Sequence, residues 1–218
     1  MNLSRIRVVL AAVLMVGAPA IAQDTGTKPA VFAVEGKEYT YSFPAAYCLP
    51  VGDDYFAAQR VAELDTANHT AASLDLCGTR GQDYIHIKSP RQGAQMQMSK
   101  PQFIEEMSGF LRSEAGMAVA QQGMDEGVAE IDKAIEGDVS VGSTEIAYAG
   151  YDSDCVYMAG RPIIAVNGRD TRALIATCLT IVDGRMFSVN VYDFTEKGTP
   201  VETLKARSRA IAATIRSR

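Results

Sequence analysis

The sequence predicts an α+β fold: a mostly antiparallel sheet built from hairpins, with helices inserted between strands and a C-terminal amphipathic helix packed on it. First, Asn167-Gly168 and Asp183-Gly184 separate alternating apolar segments in the last third of the chain, and these pairs are the strongest short-range hairpin signals. Second, helical spacing falls in separate blocks after Asp53, between residues 100 and 136 and after Thr199, with hairpins between them rather than βαβ units. No internal repeat of the kind that marks a solenoid is present.

At the N-terminus, Arg5 and Arg7 precede an apolar run from Val8 to Val16, followed by the small residues Gly17, Ala18 and Ala20. This is the layout of a signal peptide. Ala20-Ile21-Ala22 places small side chains where a signal peptidase needs them, which predicts cleavage before Gln23; Ala18-Pro19-Ala20 is the alternative. The run is shorter than the roughly 20 residues that span a hydrocarbon core. No nearby cysteine could receive a lipid, so the expected location is the periplasm or the exterior.

Losing Arg5 and Arg7 takes the formal charge from −5 to about −7, which argues against nucleic acid or an anionic membrane as partner. Residues 1–22 are then the signal peptide, 23–30 a flexible polar leader and 31–218 a single domain, long enough to bury a hydrophobic core.

Val31 to Glu35 and Tyr39 to Phe43 alternate as two strands joined across Gly36-Lys37. Asp53 or Asp54 can cap a helix reaching Ala67, with Phe56, Val61 and Leu64 on its apolar side. Asn68-His69-Thr70 ends it. From Ala72, the residues Leu74 and Leu76 alternate with Ser73, Asp75 and Cys77, and Tyr84 to Lys88 alternates again, suggesting a second hairpin.

Ser99-Lys100-Pro101-Gln102 combines an N-cap, an early proline and a capping-box glutamine. Phe103, Ile104, Met107 and Leu111 continue that helix, while Met124, Val128, Ile131 and Ile135 keep the spacing farther on. Gly109, Gly116, Gly123 and Gly127 each weaken helix relative to alanine, so 100–136 is expected to be two helices with a weak middle. Strands follow at Thr144–Tyr151, Cys155–Val166, Arg172–Val182 and Arg185–Phe194. Thr199-Pro200-Val201-Glu202 then starts the last helix, with Leu204, Ile211 and Ile215 on one face.

Four cysteines in an exported chain predict two disulfides. Between Cys48 and Cys77 lie a helix of about 14 residues rising ~1.5 Å each and a strand of about 7 rising ~3.3 Å each. The lengths nearly match, so the returning strand brings Cys77 beside Cys48. A two-residue turn at Asn167-Gly168 sets Cys155 opposite Thr180 and Cys178 opposite Tyr157, diagonal on one face, and a register change or bulge would align them. The expected pairs are Cys48–Cys77 and Cys155–Cys178. There is no Cys-x-x-Cys to suggest redox chemistry.

The two histidines, His69 and His86, lack metal-ligand spacing, and Asn68-His69-Thr70 as a glycosylation sequon is incidental. Gly-x-Ser-x-Gly, Ser-x-x-Lys, His-Glu-x-x-His, Walker A and Gly-x-Gly-x-x-Gly are all absent. Asp152-Ser153-Asp154 has oxygens for calcium, but reads more simply as a turn. Met96-Gln97-Met98 pairs thioethers that suit Cu(I), although two methionines at period two also fill core. Asp125, Glu126, Glu130, Asp132 and Glu136 read as a solvated helix face, and Lys205, Arg209 and Arg216 as an outer basic stripe.

Phe43-Pro44-Ala45-Ala46-Tyr47-Cys48, Leu74-Asp75-Leu76-Cys77 and Phe187-Ser188-Val189-Asn190-Val191-Tyr192 before a final helix carry a family likeness. The chain resembles small exported bacterial proteins of unassigned function, and its element order is similar to the Mog1/PsbP-type α/β sandwich. The resemblance covers most of the mature chain at the level of layout. It implies a binding or assembly module and transfers no site residues.

The expected function is therefore non-catalytic: binding another protein or a small ligand, without a cofactor, through the sheet face or a mobile flap at residues 109–127. The alternatives are an enzyme with a dispersed hydrolytic site and a periplasmic copper carrier. Mass spectrometry of the exported protein is expected to give a chain starting at Gln23 that gains about 4 Da on reduction; a mass that keeps Met1 to Ala22 would overturn cleaved export.

Overall fold

Local sequence pattern sets the elements, and burial then sorts them into layers. A computed structural model describes residues 26–79, 82–93, 95–134, 139–142, 144–166, 169–194 and 198–218. In chain order it forms β1 (Thr27–Val34), β2 (Lys37–Pro44), β3 (Tyr47–Cys48), α1 (Asp53–Leu64), β4 (Asn68–Leu76), β5 (Asp83–Pro90), α2 (Lys100–Arg112), α3 (Glu114–Ala134) and β6 (Val139–Val141). There follow β7 (Ile146–Tyr151), β8 (Val156–Gly160), β9 (Ile163–Val166), β10 (Arg169–Arg172), β11 (Leu174–Val182), β12 (Arg185–Asp193), α4 (Val201–Ala212) and β13 (Arg216–Ser217). The α+β class is as expected, with antiparallel sheets and a C-terminal helix.

The main sheet has seven strands in the order β3-β4-β5-β12-β11-β8-β7, and smaller sheets run β1-β2-β13 and β10-β9-β6. Period-two alternation gives the main sheet two faces. On the inner face Leu74, Ile85, Ile87, Phe187, Val189 and Val191 are buried against Phe32, Tyr39, Tyr41 and Phe43 of the first small sheet and Leu204 and Ile211 of α4. Each such side chain contributes about 1.5–3 kcal/mol. On the outer face Phe103, Ile104 and Leu111 of α2 cover Val156 and Ile181.

Several boundaries differ from expectation for local reasons. β1 starts at Thr27, so the last residues of the expected leader, Thr27 to Ala30, are paired strand. Val34 pairs with Lys37, which makes Glu35-Gly36 the turn rather than Gly36-Lys37, with φ of 50° and 79°. Gly52 takes the N-cap of α1 in place of Asp53 or Asp54, which instead sit in the first turn where negative charge suits the helix dipole. α1 stops at Leu64, not Ala67, because Asp65 turns its carboxylate to accept from the Asn68 backbone N–H at 2.9 Å. His69 therefore belongs to β4 and not to a helix end.

The expected strand Cys155–Val166 is broken at Arg161-Pro162 into β8 and β9. Pro162 has no N–H for a ladder, and its carbonyl accepts from Ala173 N at 3.0 Å. Register continues across the break: Tyr157 faces Cys178 and Val166 faces Arg169. The latter pair brackets Asn167-Gly168, which lie outside the described residues. β9 and β10 leave the main sheet and join β6. Pro200, not Thr199, occupies the cap of α4, and Ile215 is buried beyond that helix's end.

Both expected disulfides are present, Cys48–Cys77 and Cys155–Cys178, each with Cα atoms 5.2 Å apart. The second closes diagonally without a register change, because Cys155 stands just ahead of β8. The capping box of α2 is formed: Ser99 Oγ accepts from Gln102 N, and Gln102 Oε1 accepts from Ser99 N at 3.0 Å. α2 and α3 break at Ser113, where a side chain on Gly116 would stand 2.0 Å from the Phe110 carbonyl oxygen.

Two polar clamps join the layers. Asp83, buried in β5, accepts from Tyr47 Oη of β3 and Arg207 Nη1 of α4, each at 2.6 Å. Arg185, only 3% exposed at the start of β12, donates to Ser89 Oγ of β5 at 3.2 Å and to Glu35 at the tip of the β1–β2 hairpin. Glu35→Ala leaves that guanidinium without its carboxylate and is expected to cost about 2 kcal/mol in urea denaturation. In an Arg185→Met background Glu35→Ala should cost little further, and an equal loss in both backgrounds would show that the pairing contributes nothing.

Candidate functional site

The Cys48–Cys77 bond holds β3 to the end of β4, and the chain leaves it through Leu49-Pro50-Val51. Val51 is 76% exposed. Gly52, with φ 59°, turns the chain into α1. The side of α1 expected to be buried is in part presented outward: Phe56 is 67% exposed and Val61 is also exposed. Toward β4, α1 instead carries Ala58 and Ala62, flanked by Tyr55 and Gln59. Alanines fill little of the roughly 10 Å that separates packed layers, and a groove of about 660 Å³ remains.

Strand edges form the rest of that groove. β1 is the edge of its sheet and comes alongside β4 without pairing to it, contributing Val31 and Ala33. β3 covers β4 only at Leu76 and Asp75, so among the described residues the stretch from Asn68 to Leu74 has no ladder partner on that side. A bulge between Thr70 and Ala72 bends β4 where it lines the groove. The Tyr41 ring is part of the lining, and burial pushes its phenol up to about 12.

One end of the groove is polar. His69 Nδ1 lies 3.2 Å from Arg91 Nη1, and His69 Nε2 lies 3.7 Å from Glu35, the carboxylate that Arg185 also holds. Arg91 Nε donates to the Asp65 carbonyl at 3.3 Å. Glu35 therefore fixes β1 against β4, and with it the width of the groove.

A second polar group lies on the outer face of the main sheet. Tyr84 stacks on Tyr192 with centroids 4.5 Å apart, and His86 stands 5.0 Å from Tyr84. Asn190 Oδ1 accepts from Thr177 Oγ1 at 2.8 Å. Burial opposes ionisation of Asp65, but Lys88 at 2.7 Å and Asn68 hold its carboxyl below the usual range. Burial, reinforced by Lys88, pushes the His86 imidazole down to about 3, and its Nδ1 is buried with no hydrogen-bond partner among the described residues. His69 and His86 do not meet: His86 faces Ser73, four residues along β4 from His69, about 13 Å at strand rise.

The other sequence candidates are engaged locally. Asp152 Oδ1 accepts from the Asp154 and Cys155 N–H groups at 2.8 and 3.0 Å, the turn geometry expected of Asp-Ser-Asp, and Oδ2 accepts from Tyr157 Oη at 2.6 Å. Arg209 donates to Asp154 of the β7–β8 turn at 3.1 Å, and Lys205 to the Ala149 carbonyl of β7 at 2.8 Å, so these two bind the β7–β8 hairpin rather than forming a free stripe. Asp125 and Glu126 are exposed and pair with Gln121 and Gln122. Glu136 lies outside the described residues. Residues 109–127 are helical on both sides of Ser113. Met96 and Met98 line one hollow together and pack on the outer core.

Sequence reasoning missed the groove, although the apolar run Leu49-Pro50-Val51 beside Tyr55-Phe56 was its visible trace. No helix among the described residues is long and apolar enough to cross a membrane. No family model matches the chain, and no curated protein matches it.

His86 gives the site a pH signature. Its folded pKa lies below the ordinary value of 6.5, so the unfolded chain takes up the proton first as pH falls. The stability tied to neutral His86 is complete above about pH 6.5 and is lost toward pH 3, at up to about 1.4 kcal/mol per pH unit. Urea denaturation between pH 7 and 4.5 should show His86→Gln with a flatter profile than the parent; identical slopes would mean that the ring titrates freely.

Proposed function

We propose that the protein is an exported binding module that takes an extended, apolar stretch of another polypeptide into the groove between β1, β4 and α1. The observation that carries this is the gathering of exposed apolar side chains where two strand edges lie open. Val31, Leu49, Val51 and Tyr55 line the groove, and Phe56 extends the patch beside Tyr55, ring centroids 5.7 Å apart. Apolar side chains scattered singly over a surface are ordinary, whereas a contiguous set around a concave site marks binding. An open edge supplies unpaired N–H and C=O groups, so an added strand gains main-chain hydrogen bonds while its alternate side chains meet the apolar walls.

Export is part of the proposal. It is supported by the basic-apolar-small order of Arg5 to Ala22 and by the pairing of all four cysteines in disulfides, bonds that persist in oxidising compartments. The hydrolytic alternative has less support at the groove. His69 is held between Arg91 and Glu35, and Tyr41, pushed up to about 12, keeps its proton at neutral pH.

Fluorescence anisotropy with labelled, alternating apolar decapeptides tests the reading. Saturable binding is expected, weakened at least tenfold, or about 1.4 kcal/mol, by Val51→Asp with Tyr55→Asp. N-methylation of alternate peptide nitrogens should weaken it similarly on one set of positions only. Binding that ignores both changes, or no binding by any such peptide, would overturn strand addition in this groove.

A further inference from the structure

Nine methionines occur in the chain, and Met1 and Met15 precede Gln23. Of the remaining seven, six pack on one cluster: Met96, Met98, Met107, Met117, Met158 and Met186, against Phe103, Ile104, Leu111, Val156 and Ile181. They come from a loop, two helices and two strands, so the concentration is a property of the fold and not of one sequence run. Methionine as core filler closes irregular gaps. Here a gap stays open. Met96, Met98 and Met107 share a hollow of about 230 Å³ with Phe103, Glu106 and Phe110, and Phe110 is 45% exposed.

The hollow has a built geometry. Phe103, Glu106, Met107 and Phe110 recur at i, i+3, i+4 and i+7, one face of α2. The opposite wall is the segment from Gln95 to Met98. It is pinned at one end where Met96 N donates to the Gly184 carbonyl at 2.6 Å, and at the other by the Ser99 capping box. Gly184 is required there, because a Cβ would stand 2.7 Å from the Met96 carbonyl oxygen. Met96 and Met98, two apart on this wall, both line the hollow.

We infer that this hollow is a binding site for a soft monovalent cation of the Cu(I) class, held by the thioethers of Met96, Met98 and Met107. Thioether sulfur selects Cu(I) over harder ions. All four cysteines are closed in disulfides, so these thioethers meet no thiolate competitor in the same chain. Three neutral sulfurs leave the ion's charge uncompensated, and Glu106 lies beside them to balance it. The site is separate from the α1 groove and does not depend on peptide binding there.

The test uses the full mature protein, anaerobic, with Cu(I) presented as its bicinchoninate complex and ascorbate as reductant, which leaves the disulfides closed. The parent should withdraw one equivalent of Cu(I). Met96→Leu/Met98→Leu/Met107→Leu, a nearly volume-conserving change, should lose at least 100-fold in affinity with an unchanged circular dichroism spectrum. Glu106→Gln should lose about tenfold, and Met124→Leu nothing. Failure of the parent to withdraw copper, or full binding by the triple leucine variant, would overturn the site and leave the methionines as core packing.

Discussion

One buried guanidinium, that of Arg185, sets the relation between the parts of this protein. It reaches Glu35 at the hairpin tip of the small sheet and Ser89 in the main sheet. With its amide oxygen turned toward Arg185, Gln95 accepts from Nε and Nη2 at 3.1 and 3.2 Å. A planar cation with several donors in a fixed fork can serve three acceptors at once, and a buried one must, since an unsatisfied charge is costly. Through Glu35 it positions β1 beside β4 and so opens the groove. Through Gln95 it anchors the segment that carries Met96 and Met98. The two candidate sites, far apart in sequence, share one electrostatic hinge pin.

The helices meet the main sheet in two different ways. α2 brings Phe103, Ile104 and Leu111 onto it and buries them. α1 faces β4 with Ala58 and Ala62, and leaves Phe56 and Val61 in solvent. Most helical stability in proteins comes from packing an apolar face, so α1 has less to hold it than α2 has. α3 packs along α2 and touches α1, β6 and β7. On the outer face Tyr84, His86 and Tyr192 stand where aliphatic side chains fill the inner one, and His86 Nδ1 has no hydrogen-bond partner among the described residues.

What could be read from sequence was local. Alternation in Tyr84–Lys88, the Asp183-Gly184 turn and the Ser99 capping box each involve a few neighbours, and all three form. The disulfide pairs followed because strand and turn lengths convert directly to distance. β6, β10 and β13 escaped notice, being short strands whose partners are set by tertiary contact. The break at Arg161-Pro162 is masked by the apolar stretches Val156 to Ala159 and Ile163 to Val166 that flank it. An apolar stripe such as Phe56 and Val61 looks the same in sequence whether it is covered or presented. The groove draws on β1, β2, β4, α1 and the loop before it, with no motif, and Met107 joins Met96 and Met98 only once α2 is folded.

The Cys48–Cys77 bond closes a covalent ring that contains α1, its ends 29 positions apart in sequence. The helix that walls the groove is thus leashed at both sides. Should α1 lift or unwind, its chain stays within a short radius of β4, and return is an intramolecular search over a small volume rather than a refolding of the whole. Local opening with free energy well below that of global unfolding is ordinary for such elements. The ring bounds how far the groove can open, because both ends of the α1 segment stay tied to one another at β3 and the end of β4.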